Sequence, residues 1–309
     1  MKFCLPSNKS VWLIGDPHLG RRFETGVPLH RRGEREKRQL AKFQAELAED
    51  VDININVGDT FEHPFVGFSV VLDAFMSYRK AAENRPQTMF YIIAGNHDIP
   101  RNLEAVGALD VLEQLLDGIS NIKVIREETV ADDILMLPWV WGRTDWEVSN
   151  EPYSAVVGHC DVQSYGGDDS HILPVHLLDD VPLYVGHDHL PGDVEVEGRI
   201  VHRTGSLEPF SHSQDPEGEI YVTLTLAEYE QRDDLKDKMV RILLSEGEEL
   251  PLTGEYLALT GKRVVEEKTS ETVSLEGFDW KKTLDEKLAP LTPAVREFIN
   301  ERLKQDELC

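Results

Sequence analysis

Cysteine is scarce in this chain. Cys4, Cys160 and Cys309 stand far apart and form no CxxC pair, which excludes a disulfide framework and a cysteine-based zinc site and fits a reducing compartment. Long apolar runs are missing as well: none approaches the roughly 18 residues a membrane helix needs. The opening MKFCLPSNKS lacks the apolar stretch of a signal peptide, so a cytoplasmic protein with no membrane partner is expected. Positive charge is in short supply. The chain has 32 Lys and Arg against 57 Asp and Glu, a net charge of −25, which argues against nucleic-acid affinity through bulk charge. There is no internal repeat and no low-complexity tract. With 40% hydrophobic residues over 309 positions, the chain is globular and long enough for one large domain and a smaller one.

Against this acidic background one stretch is basic. Residues 20–42 hold Arg21, Arg22, Arg31, Arg32, Arg35, Lys37, Arg38 and Lys42 against Glu24, Glu34 and Glu36. The ordinary reading is a loop and the solvated face of a helix. The functional reading is a surface for a polyanion, with Arg21, Arg22, Arg31 and Arg32 as the DNA-binding candidates.

Strand and helix alternate through the first two-thirds. Strands are expected near 11–15, 53–57, 89–94, 122–125, 134–137, 155–158 and 183–186, and helices near 34–49, 68–83 and 103–116. Alternating segments near 193–203 and 219–226 look like antiparallel strands. The pattern predicts layered α/β with mixed β-sheets flanked by helices, plus a small C-terminal region. The expected divisions are a main domain over 1–227, a small capping α/β region over 228–279 and a helical tail over 280–309. In the tail, Leu284, Leu288 and Leu291, then Val295, Phe298, Ile299 and Leu303, form apolar stripes around Pro290 and Pro293.

Five short segments carry the chemistry: Gly15-Asp16-Pro17-His18, Gly58-Asp59, Gly95-Asn96-His97-Asp98, Gly158-His159 and Gly186-His187-Asp188-His189. Each follows a short apolar run (VWLI, INV, MFYIIA, AVV, PLYV) of the kind that forms a strand buried on both faces. The polar residues therefore sit at strand ends, where open α/β sheets build sites. Asp16 and His18, like His187 and His189, are two apart, so in extended backbone each pair aims at one place. Mixed carboxylate and imidazole donors suit manganese, iron or zinc better than magnesium. Two cations close together need a shared anion, and Asp59, alone in its segment, is the natural bridge. Such a pair of metals lowers the pKa of a bridging water and clamps phosphate oxygens, which points to phosphate-ester hydrolysis.

GDPHLG, GDTF, GNHD, GH and GHDH, in this order over 16–189, resemble the calcineurin-like metallophosphoesterases. The resemblance implies that Asp16, His18, Asp59 and His189 hold one metal, and Asp59, Asn96, His159 and His187 the other. It implies that His97 is the catalytic histidine that assists the leaving group, with Asp98 orienting it. The HLGR, the Arg-rich run into a helix, GHDHLP and TGSLEPFSHSQ (204–214) resemble the nuclease subunit of SbcCD-type repair complexes, and DDILMLPWVWG (132–142) its phage versions. This implies a manganese-dependent DNA endo- and exonuclease, a homodimer, and an SMC-type ATPase partner that receives the C-terminal helices. The chain departs from the family's phosphoprotein phosphatases, having GDTFEHP and GNHD. It also carries Glu62 where many repair nucleases have His or Asp.

Two rival readings stand beside the nuclease: a small-molecule phosphodiesterase or phosphatase of the same fold, and a non-catalytic scaffold. The second is weakened by the complete set of donors, the first by the basic stretch and the tail. Further residues take plainer expectations. His30, His171, His176 and His202 read as surface or structural, His212 as a turn residue, and His63 as loop surface or support for the site. Cys160 reads as a small buried residue. Trp139 and Trp141 offer base stacking, with core packing the expectation for at least one.

Overall fold

In the computed structural model, residues 1–264 are described apart from Leu103, Thr144, Glu147, 165–169 and 252–253. The tail expected at 280–309, with its apolar stripes, lies outside the described residues. The first sheet runs β1 (Lys2–Cys4), β2 (Ser10–Ile14), β3 (Ile53–Asn56), β4 (Met89–Ile93) and β5 (Ile122–Ile125), in that spatial order. From β2 onward its strands are parallel, and β1 is antiparallel to β2. Helices α1 (Glu34–Leu47), α2 (Phe68–Asn84) and α3 (Ala108–Leu116) connect the parallel strands. The second sheet contains β6 (Thr129–Ala131), β7 (Ile134–Leu137), β8 (Ala155–His159), β9 (Leu183–Gly186), β10 (Gly192–Val196) and β11 (Arg199–Arg203), ordered β10-β11-β9-β8-β7-β6. Its central strands are parallel and both edges antiparallel.

The layering follows from which side chains each strand offers. Val11, Leu13, Ile53, Ile55 and Ile93 face Ile134, Met136, Val157 and Tyr184 of the second sheet. Ile14, Phe90 and Ile92 face Phe43, Leu47, Tyr78, Leu109 and Leu112 of the helices. Each fully buried aliphatic side chain contributes roughly 1.5–3 kcal/mol, so the sheet–sheet core also fixes the two sets of strand ends against each other. On the helix side β3 offers Asn54 and Asn56, both buried. Asn54 donates to the Glu46 carbonyl at 3.0 Å, and Asn56 to Thr60 Oγ1 at 2.9 Å and to the Tyr78 hydroxyl at 3.0 Å, as buried amides require.

A third sheet of β12 (Tyr221–Thr225), β13 (Met239–Leu244) and β14 (Ala258–Arg263) is parallel throughout. The expectation of antiparallel strands holds for the 192–203 hairpin and is corrected for 219–226, because β12 pairs in parallel with β13. Alternation along a strand tells which face is buried, not which neighbour it finds. β12 precedes residue 227, the expected end of the main domain, and β13 follows it. Phe23, Val27 and Phe210 pack on Ile220, Tyr221, Met239 and Leu257, joining this sheet to the loop after β2. The helix expected from 103 begins at Ala108, where the Asp110 carboxylate accepts the Gly107 N–H at 2.6 Å. Among the described residues no helix is long and apolar enough to cross a membrane.

Candidate metal centre

The strand ends converge. β2, β3 and β4 of the first sheet and β8 and β9 of the second lead into Asp16 and His18, Asp59, Asn96 and His97, His159, and His187 and His189 respectively. Two donor groups result. Asp16, His18, Asp59 and His189 form one, and Asp59, His159 and His187 the other, with the donor atoms of each within 4.8 Å of one another. Asp59 belongs to both, the place the sequence assigned to the bridge. Asn96 joins the second group: its Oδ1 lies 2.9 Å from His159 Nε2 and 3.0 Å from His187 Nδ1.

Bringing so many polar groups together takes unusual backbone. His18, Asp59 and His187 have φ of 46°, 49° and 75°, a region non-glycine residues seldom occupy and one that clusters at functional sites. Gly58 and Gly95 are required by close approach. A Cβ on Gly58 would collide with the His159 ring, and one on Gly95 with Asp59.

Each ring is held by a partner on its far side, the arrangement that orients metal-binding histidines. His159 Nδ1 donates to the Val57 carbonyl at 3.0 Å. His187 Nε2 lies 3.0 Å from Asp161 Oδ1, and His18 Nδ1 3.1 Å from Glu62 Oε2. Gln214 Nε2 sits 2.9 Å from His189 Nδ1, while its Oε1 accepts the Phe210 N–H. Asp161 and Gln214 escaped the sequence reading: Asp161 stands in no recognisable pattern, and Gln214 closes the TGSLEPFSHSQ segment with no spacing that points to His189. Glu62 stands in the second motif with no role implied by the sequence. Its carboxylate faces His18 and Arg21, and its carbonyl accepts from His97 Nδ1 at 2.6 Å.

That last bond corrects the role expected of Asp98. Its carboxylate is buried and accepts the N–H groups of Thr60 (3.1 Å), Phe61 (2.9 Å) and Gly95 (3.0 Å). It fastens the β3 and β4 loops together, and the Glu62 carbonyl orients the His97 ring instead. Burial, helped by the charge of Asp59, raises the Asp98 pKa to about 7.

The electrostatics fit a cation. Burial, reinforced by Asp59, pushes the Asp16 carboxyl well up, and Asp16 Oδ1 has no hydrogen-bond partner among the described residues. Burial also opposes ionisation of Asp59, but the His159, His18 and His97 rings outweigh it and hold its carboxyl below the ordinary range. His189 is driven down to about 4 by burial and by the neighbouring His18. Buried carboxylates crowd one another here, and so do buried rings. A divalent cation among these oxygen and nitrogen donors would relieve both, and the donor set suits one.

The basic stretch behaves differently. Arg35 is buried, ion-paired with Glu208 and 4.9 Å from the Phe23 ring centre. Arg31 bonds Glu34 at 2.7 Å, Asp237 at 3.0 Å and the Lys236 carbonyl. Arg21 reaches Glu62 at 3.2 Å, while Arg22 and Arg32 are exposed. Arg21, Arg22, Arg32 and Lys37, together with Glu24, Glu36 and Asp73, line a cavity of about 440 Å³ that also includes Leu19, beside the ligand candidate His18.

The remaining residues take ordinary places. Cys160 is fully buried, and burial pushes its thiol up. His171 is buried, stacks on Trp139 at 3.7 Å and bonds the Val140 carbonyl at 2.8 Å. Trp139 is a core residue and lies 5.1 Å from the His187 ring. His212 occupies a short turn, 3.0 Å from Thr223 Oγ1. His63 stacks over His97 at 6.2 Å.

No curated protein matches the chain. The family model of the calcineurin-like phosphoesterases matches residues 9–191, a span holding every donor of both groups, and the protein belongs to that family of phosphoester hydrolases.

Proposed function

We propose that this protein is a manganese-dependent DNA endo- and exonuclease, the nuclease subunit of an SbcCD-type repair and recombination complex that works with an SMC-type ATPase. The observation that supports a polyanionic substrate is the cavity next to His18 in which Arg21, Arg22, Arg32 and Lys37 outnumber Glu24, Glu36 and Asp73, in a chain whose net charge is −25. Asp16, His18, Asp59 and His189 would hold one cation, and Asp59, Asn96, His159 and His187 a second. Such ions supply an activated water and charge compensation for a phosphodiester. His97, its Nδ1 proton engaged by the Glu62 carbonyl, presents Nε2 to a leaving oxygen. A homodimer is supported by α2, where Phe68, Leu72 and Met76 are 82%, 51% and 55% exposed at four-residue spacing. One such stripe can pair with its own copy about a twofold axis, and the molar mass in solution decides it.

The test is to incubate the protein with manganese and single- or double-stranded DNA, with and without an SMC-type ATPase. Wild-type protein cleaves DNA, while His97→Ala loses cleavage and keeps its metal content. Hydrolysis of bis(p-nitrophenyl) phosphate without cleavage of DNA would make the chain a small-molecule enzyme. Loss of metal from His97→Ala would make His97 a ligand.

A further inference from the structure

A second cavity, of about 250 Å³, is lined by the Arg21–Thr25 segment and shares Arg21, Arg22 and Glu24 with the first. Phe210 is among its lining residues. The Phe210 ring stands nearly perpendicular to His18 and His189, with centroids 5.0 and 5.4 Å away, so the cavity begins one ring's width from the donor cluster. Arg241 and Thr260, from β13 and β14, line it as well.

The lining is cationic in an acidic protein: Arg21, Arg22 and Arg241 against Glu24 alone. Arg21 is engaged by Glu62. Arg22 meets Glu24 at 3.5 Å with both side chains largely exposed, a pairing of little strength. Arg241 is half-buried and enters no ion pair among the described residues. Its neighbour His212 is kept neutral, its pKa lowered to about 4 by burial and by Arg241 itself. A guanidinium without a counter-ion, beside a neutral ring and near a phosphoesterase centre, wants an anion. The volume is below the roughly 300–1,000 Å³ of pockets that take whole ligands, so the cavity suits one portion of a longer substrate.

Resting on the nuclease reading above, we propose that this cavity is a subsite for the phosphate adjoining the scissile one in a phosphodiester-linked chain, and that Arg241 binds it. The third sheet then contributes to substrate choice, favouring a chain of phosphates over a single ester.

The experiment compares kcat/KM on single-stranded oligothymidylate with kcat/KM on bis(p-nitrophenyl) phosphate, in manganese, for wild type, Arg241→Ala and Arg241→Lys. Taking the ratio cancels any loss of folded protein. The ratio falls about tenfold in Arg241→Ala, the scale of one hydrogen bond to a charged group, and less in Arg241→Lys. The salt dependence of oligothymidylate KM becomes shallower in Arg241→Ala by about 0.7 in log–log slope, one contact on a single strand. An unchanged ratio and slope, including an equal loss on both substrates, would overturn the subsite and leave the nuclease reading standing. A wild type that hydrolyses the small ester and leaves oligothymidylate intact would overturn that reading and the subsite with it.

Discussion

The donor cluster and the basic segment at 20–42 look alike along the chain, each a concentration of ionisable residues, and fold in opposite ways. In the cluster, side chains from five strand ends are driven together until carboxylates crowd carboxylates and rings crowd rings. In the basic segment the charges are taken apart pairwise: Arg35 and Arg38 to Glu208, Arg31 to Glu34 and Asp237, Arg21 to Glu62. Unresolved charge marks a place that wants a ligand, and resolved charge marks a joint in the fold. Charge density in a sequence does not distinguish the two; convergence in space does.

The largest effect expected from breaking the cluster belongs to Asp59, the donor shared by both groups. Asp59→Asn removes the anion from both at once, so metal content measured after dialysis should fall at both sites. Phosphodiester hydrolysis should drop on the order of 10³-fold, the scale of removing a key electrostatic element from a preorganised site. Asp16→Asn touches one group and should mainly weaken one ion. Equal and mild losses from the two variants would contradict the shared role.

The joint is tested at Arg35. It is buried against Glu208 and Phe23 and bonds the Pro209 carbonyl at 2.9 Å, and burial lowers its pKa to about 10, which leaves it charged at neutral pH. Arg35→Ala leaves a buried carboxylate with Arg38 alone, and breaking such a pair costs about 3–5 kcal/mol. Thermal unfolding should show a marked loss of stability, at the lower end because Arg38 stays. A stable variant with weakened DNA binding would add Arg35 to the DNA contacts.

Glu208 also shows where the sequence stopped being legible. The donors could be read because each lies in a short local pattern after an apolar run, and the sheets deliver strand ends to one side. Their supports could not. Asp161 reaches His187, Gln214 reaches His189, and Glu208 reaches Arg35 across 173 positions, pairings that no spacing announces. The resemblance makes Asp98 the group that orients His97, yet the loop turns its carboxylate inward onto three backbone N–H groups. The antiparallel expectation for β12 fails because alternation in YVTLT reports a half-buried strand and is silent about its partner.

The smallest effect expected sharpens the comparison inside the basic segment itself. Arg22 and Arg32 are exposed on the wall of the 440 Å³ cavity, whereas Arg31 is engaged by Glu34, Asp237 and the Lys236 carbonyl. If the cavity carries the DNA backbone, the double change of Arg22 and Arg32 to Ala removes two phosphate contacts and Arg31→Ala removes none. On duplex DNA each contact contributes about 0.9 to the slope of log affinity against log salt. The double variant should therefore flatten that slope by about 1.8, a loss of binding felt most at low salt. Arg31→Ala should keep the wild-type slope, because its charge is already answered within the protein. Salt titrations of binding to one duplex, run in parallel on the three proteins, measure this directly. Equal flattening by Arg31→Ala would mean that its ion pairs open to receive DNA, and the division between answered and unanswered arginines would fail. A wild-type slope in the double variant would remove the cavity from the DNA path and leave the polyanion to be held elsewhere.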